Sequence, residues 1–396
     1  MQRLGRRAAP AEPLLGLLRF LVSGASGPEP AVVPRLSEAI AALLAAPEWR
    51  VLAPLAAARL SEAGADRLLA TEPAAALRRA TLSAVATAMT RQQVLVALGE
   101  RAGRAGMAVM LLKGAALTGW VYPWSAPRLG ADLDLLIDPA DGDRVCALLA
   151  GLATEQDKFP GRPRLRGLAY ERSFLVQAPV QVELDVHRGL AYPALYRIDY
   201  AGLWRRSAPH PGFGLMGLRV PSPEDMLLHL AIHALYDLKF WSRHDVDAAL
   251  LIAQEPIVWA RLAERARQWG TAAGLFLLLE RVAHGLGCPV PESVLLGLKP
   301  AAPTLAVARL ALGWGSREGL DSGPGALRLR QLAAQLWLTG GALPALRFQL
   351  DYAAARLLDV PARGKSASAK SIPPSHQAND HGASRATPDD EMSPRP

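Results

Sequence analysis

Cysteine is nearly absent from this chain of 396 residues: there are two, Cys146 and Cys288, far apart and in no CxxC pair. That argues against a disulfide framework and a thiolate zinc site, and it fits a reducing, cytoplasmic compartment. Aromatic residues are scarce at 6%, while hydrophobic residues, dominated by Ala and Leu, reach 51%. This balance favours a helix-rich globular protein over an all-β one, with few strands. No apolar run reaches the roughly 18 residues of a membrane span. Leu14 to Val22 follows Arg3, Arg6 and Arg7 in the manner of a secretion signal, but Arg19 interrupts it. It reads instead as a first amphipathic helix, with Leu14, Leu15, Leu17, Leu18 and Leu21 on one side. Like charges do not cluster in runs of five or six either, although the net charge is +8 and the isoelectric point near 9.8. The excess permits phosphate-rich partners. A nucleic-acid partner is not expected, because no continuous basic track with stacking aromatics is visible.

What is present is mostly helical patterning. From Glu38 to about Arg101 apolar residues recur at spacings of three and four, as in Leu52, Leu55 and Leu60 and later Leu82, Val85 and Met89. Residues 1–100 are therefore expected to form a helical N-terminal region. Strand signals concentrate in 101–205: Val109 to Leu112, Leu133 to Ile137, and a hairpin of Glu171 to Val176 and Val180 to His187 turning at Ala178-Pro179. A small helix, Gly114 to Trp120, and another over Asp141 to Leu152 lie between them. Beyond Trp204 the pattern turns helical and is expected to stay so to about Leu358, giving a helical domain over 206–360. Its clearest start is Ser222-Pro223-Glu224-Asp225, a capping serine, a proline and two acids in the first turn. From Pro361 the composition shifts to Ser, Pro, Asp, Lys and Gly, so 361–396 is expected to be a disordered tail.

The stretch Leu111 to Asp138, LLKGAALTGWVYPWSAPRLGADLDLLID, carries the chemistry. On a strand, Asp132 and Asp134 share one face while Leu133, Leu135 and Ile137 enter the core. Paired carboxylates suit a hard divalent cation, which takes oxygen ligands and can grip phosphates at the same time. In VQVELDVHR, Glu183, Asp185 and His187 likewise share a face, and a third carboxylate would converge if that strand lay beside the first. Asp225, His229 and His233 fall on one helical stripe; the spacing suits helix-borne metal ligands, but the glutamate of HExxH is missing. Packing, or lining of a substrate cleft, is the expected role for these histidines together with Asp225 and Asp245. For His187 the expected role is structural, with a hydrogen bond to Asp185 or to an acceptor as the alternative. Trp120, Trp124, Trp204 and Trp241 are expected in the core or at interfaces rather than stacked on a base. Arg162, Arg164, Arg166 and Arg172 make the densest basic group and read as a solvated surface loop, with a binding surface for nucleotide or acceptor phosphate as the alternative.

With LLKG, Tyr122-Pro123, Arg128, DLDLLID, LDVHRGL and SPEDMLLHLAIHA together, the chain resembles the uncharacterised nucleotidyltransferase family, a bacterial branch of the polymerase β-like nucleotidyltransferase superfamily. The likeness runs from the N-terminal helices to about Val360. It implies an α+β fold, a small mixed sheet flanked by predominantly helical N- and C-terminal regions. It also implies a metal-dependent transfer of a nucleoside monophosphate from a nucleoside triphosphate, ATP being the first expectation, to a small-molecule or protein hydroxyl, with release of pyrophosphate. Asp132, Asp134 and Asp185 would be catalytic and would hold Mg²⁺ or Mn²⁺, with Glu183 as a neighbour. Lys113, Gly114 and Arg128 would bind the nucleotide. The glycine-serine pair usual in the superfamily is replaced here by Lys113-Gly114. The competing expectation is an inactive nucleotide-binding or scaffolding protein that keeps the fold. Acceptor identity and oligomeric state have no signature in the sequence.

Overall fold

The computed structural model describes residues 10–128, 130, 132–177, 181–236, 241–313 and 332–359. The Ala178-Pro179 turn, Arg3, Arg6, Arg7 and the segment 361–396 lie outside them. Seven strands among the described residues form one mixed sheet: β1 (Val109–Leu111), β2 (Asp132–Ile137), β3 (Ala153–Gln156), β4 (Glu171–Val176), β5 (Val182–His187), β6 (Ala208–Pro209) and β7 (Leu218–Val220). Their order is β3-β4-β5-β2-β1-β7-β6, with β2 parallel to β5, β1 parallel to β7, and the remaining neighbours antiparallel. With helical N- and C-terminal regions on either side in sequence, the fold is α+β.

β2 holds the middle of the sheet. Leu133, Leu135 and Ile137 are buried, and Leu136 on the opposite side of the pleat is buried too. A strand covered on both faces reads as a near-continuous apolar run, and DLDLLI fits that pattern everywhere except at its two acids. The stretch expected to be helical after Trp204 is interrupted by β6 and β7, which extend the sheet past residue 205. Their signal is short because a two- or three-residue strand is specified by its partners: β7 pairs with β1 at Val109 and Met110. The helix expected over Asp141 to Leu152 is broken into a 3-10 turn, Pro139–Asp141, and a helix, Arg144–Leu149, with Gly142 between them.

The first helix, Glu12–Val22, buries Leu14, Leu15, Leu17, Leu18 and Leu21. Arg19, the charge that interrupts this apolar run, donates from Nε to the Gly285 carbonyl at 2.7 Å. The long helix Thr71–Arg104 packs through Ala88, Arg91, Leu95, Leu98 and Ala102, whereas Leu82 and Met89 of the expected pattern are exposed. Spacing identifies a helical stripe; which stripe meets the sheet depends on the partner. Pro223–Tyr236 begins where the capping signal placed it, and the next helix, Arg243–Gln254, opens on a capping box between Ser242 and Asp245. Among the described residues no helix is long and apolar enough to cross a membrane.

Candidate active site

The parallel register of β2 on β5 builds the site. Asp132 lies opposite Glu183 and Asp134 opposite Asp185, and residues directly opposite in a ladder project to the same side. Four carboxyl groups therefore share one face of two neighbouring strands. β4 continues that face, with Ser173 opposite Asp185 and Glu171 opposite His187.

The inner two carboxylates are already engaged. Lys113 Nζ donates to Asp134 Oδ1 at 2.7 Å, and His187 Nε2 lies 3.0 Å from the same oxygen. Burial would raise the Asp134 carboxyl, but the Lys113 ammonium and the His187 contact outweigh it and hold it well below the ordinary carboxylate range. Asp185 accepts from Ser173 Oγ and from Lys158 Nζ, the latter at 3.0 Å, and Lys158 also reaches Glu171 at 3.1 Å. Asp132 and Glu183, the outer pair, have no ion pair among the described residues. Burial raises Asp132, and the charges of Asp134 and Asp185 raise it further against the opposing pull of Lys113. Burial and Asp185 raise Glu183 in the same sense. Negative charge thus accumulates at the outer end of the strand pair with no ion pair to it; Arg91 and Lys113 act on Asp132, and Lys158 on Glu183, through their charge alone.

The donors are the hard oxygens that Mg²⁺ and Mn²⁺ take, so the residues present fit such an ion in chemistry. Among the described residues no three His, Cys, Asp or Glu side chains are already gathered closely enough to hold a metal. The ammonium groups of Lys113 and Lys158 occupy lone pairs that an ion would need.

Lys113 is the one non-glycine residue with positive φ among those described, at 46°. This left-handed step, which costs an ordinary residue about 1–2 kcal/mol, carries the chain from β1 into the helix Lys113–Leu117 and aims the ammonium at Asp134. At Gly114 an added Cβ would lie 2.7 Å from Arg128 Nη1 and 2.8 Å from the Arg128 carbonyl oxygen. The close approach that demands glycine here is that of Arg128. The Arg128 guanidinium, 1% exposed, donates from Nε and Nη2 to the two oxygens of Asp247 at 3.0 and 2.6 Å. Tyr122 Oη donates to Asp247 Oδ1 at 2.8 Å, and Thr118 Oγ1 ties the Arg128 backbone at 3.0 and 3.1 Å. Burial opposes the Asp247 charge, yet Arg128 and His244 keep its carboxyl far below the ordinary range.

His187 bonds Asp134 across the strand pair, where the alternative reading named Asp185. His229 is fully buried, its ring edge-on to His233 at a centroid distance of 4.7 Å. Burial, reinforced by Lys113, drives both imidazoles well below their ordinary range, so they are neutral. Asp225 of the same stripe is committed to Arg206 and Arg265 at 2.8 and 2.7 Å, and Asp245 to Arg281 at 2.6 Å. The tryptophans sit against protein: Trp120 donates to Glu255, Trp124 packs edge-on to Phe213, and Trp204 and Trp241 lie against the main core. The cavity beside Tyr170, Tyr192 and His233 has a volume of about 30 Å³, room for a water molecule or so.

Sequence reasoning missed Lys158, Ser173 and Glu171, and also Arg91, whose guanidinium reaches from the long helix to the Gly130 carbonyl. Ser173 and Glu171 were legible, since period two along β4 places them opposite Asp185 and His187. Lys158 and Arg91 arrive from a loop and a remote helix with no local signal.

The family model described as uncharacterised nucleotidyltransferase matches residues 37–287, well over half of the chain, and the chain belongs to that family. The matched stretch is narrower at both ends than the motifs suggested, stopping near the end of the Ala272–Leu286 helix. No curated protein and no solved structure matches the chain.

Proposed function

We propose that the protein transfers a nucleoside monophosphate from a nucleoside triphosphate, ATP first among them, to a hydroxyl acceptor, releasing pyrophosphate. The observation that carries this reading is the β2–β5 register, which sets Asp132 and Asp134 beside Glu183 and Asp185 on one face. Asp132, Asp134 and Asp185 would hold Mg²⁺ or Mn²⁺, with Glu183 at the rim. Such an ion, when bound, supplies Lewis-acid stabilisation of phosphoryl oxygens. Lys113 leaves Asp134 for the triphosphate and neutralises its charge. His187 fixes the orientation of the Asp134 carboxylate in the manner of a supporting outer partner. Asp185, steadied by Ser173, accepts the proton of the attacking hydroxyl. Arg128 and Asp247 act from behind by fixing the Lys113-Gly114 turn, a positioning role in place of direct phosphate contact.

A second reading, a nucleotide-binding protein without turnover, draws on the closed ion pairs of Lys113 with Asp134 and Lys158 with Asp185. The two separate in one assay. Purified protein is mixed with Mg²⁺ or Mn²⁺, each α-labelled triphosphate and mixed hydroxyl acceptors, beside Asp132→Asn/Asp134→Asn. Label transferred by the parent and not by the variant supports transfer. Triphosphate binding by the parent without label transfer or pyrophosphate release supports the second reading.

A further inference from the structure

An open groove of about 530 Å³ runs along the β4 side of the site, between the loop carrying Lys158 and the helix Pro163–Leu168. That volume lies in the range of about 300–1,000 Å³ usual for small-molecule sites. Its inner end is the pair Lys158 and Ser173, both bonded to Asp185. Its outer rim carries Arg166 and Arg188. Arg166 is paired with Asp157. Arg188 is exposed, and among the described residues its side chain has only the Ala169 carbonyl as a partner, at 2.7 Å, with no carboxylate to neutralise it. Arg172 and Glu155 also line the groove, from the other side of the pleat to Ser173, and their mutual pairing leaves no free charge.

The sheet order gives the groove its place in the reaction. Lys113 lies on the β1 side of Asp134, whereas the groove lies on the β4 side of Asp185, with β2 and β5 between. In-line displacement at phosphorus needs the attacking and leaving oxygens on opposite sides. A triphosphate held by Lys113 leaves the groove to the acceptor. Resting on the transfer reading above, we propose that this groove is the acceptor site. Its ligand is a hydroxylated small molecule bearing an anionic group, phosphate or carboxylate, held by Arg188 at the rim while a hydroxyl reaches Asp185. The acceptor O–H bond breaks with its proton passing to Asp185, a new O–P bond forms at the α-phosphorus, and pyrophosphate leaves with the electron pair of the broken P–O bond.

Calorimetric titration of the full chain with ribose 5-phosphate, gluconate and ribose, without nucleotide, tests this. At least one of the two anions is expected to bind about tenfold or more tightly than ribose. Binding of the phosphate alone or of gluconate alone assigns the anion. Arg188→Glu should weaken that binding about tenfold or more, and Arg188→Lys should retain most of it. Equal affinity for ribose, no binding of either anion, or an Arg188→Glu variant indistinguishable from the parent would overturn the proposal. Asp132→Asn/Asp134→Asn is expected to bind the anion as the parent does. Anion binding in a parent that handles no triphosphate would therefore sink the transfer reading while leaving the groove as an anion site.

Discussion

At the residue scale, Lys113 combines an unfavourable backbone conformation with a partly buried charge. Its φ of 46° is one that glycine adopts without penalty, while its ammonium closes on Asp134. Lys113→Gly and Lys113→Ala both remove the charge, but only glycine relieves the backbone. Lys113→Gly should therefore be about 1–2 kcal/mol more stable than Lys113→Ala in urea unfolding, with nucleotide affinity reduced in both. Equal stabilities would mean that the turn is not left-handed in solution. The buried histidines give a second outcome. His229 and His233 lie well below their ordinary range through burial, and burial takes His210 down to about 4. A histidine depressed in the fold contributes fully above its unfolded value, near 6.5, and the contribution is lost as pH falls below that value toward the folded one. Stability should accordingly drop between pH 6.5 and about 4, by up to about 1.4 kcal/mol per pH unit for each such histidine. Urea midpoints measured across this window check it; a flat profile would show that these rings protonate freely.

At the scale of elements, the site depends on two pairings that bring distant segments together. One is the β2–β5 register. A one-residue slip would turn Asp132 and Asp134 to the other side of the sheet, and the leucines at 133, 135 and 184, all buried, hold the register. The other is Arg128 on Asp247, which ties the loop before β2 to the helix Arg243–Gln254. Removing one member strands a buried charge, so Arg128→Met should cost about 3–5 kcal/mol. Arg128→Met/Asp247→Leu should recover a large part of that loss, since an apolar pair need not be desolvated. A double variant no more stable than the single one would contradict the account. The same contrast explains what the sequence made visible. Asp132, Asp134, Glu183 and Asp185 were legible because strand periodicity is local. Their convergence was conditional on a neighbour relation that only the parallel β2–β5 pairing supplies. Arg128 was legible as a motif residue, but Asp247, 119 positions away, was not. Ser222-Pro223 marked a helix start because capping is local chemistry, whereas β7 drew its strand state from β1, and β6 from β7, and neither left a run to detect.

At the scale of the whole molecule, the acids of the sheet form a centre of negative charge inside a chain whose net charge is +8. Lys113 and Lys158 form ion pairs with the inner two acids, whereas Asp132 and Glu183 have none among the described residues. Such a centre favours a divalent cation brought in with a polyanion that draws Lys113 away. Magnesium with a non-hydrolysable triphosphate should raise the melting temperature of the parent more than either alone, and Asp132→Asn/Asp134→Asn should lose that gain. The most direct test is a Mn²⁺ titration followed by electron paramagnetic resonance, with and without the same triphosphate. The account predicts that the parent binds Mn²⁺ tightly in the presence of triphosphate and that Asp132→Asn/Asp134→Asn binds at least about tenfold more weakly. Equal Mn²⁺ binding by parent and variant would contradict the claim that the β2–β5 carboxylates hold the ion.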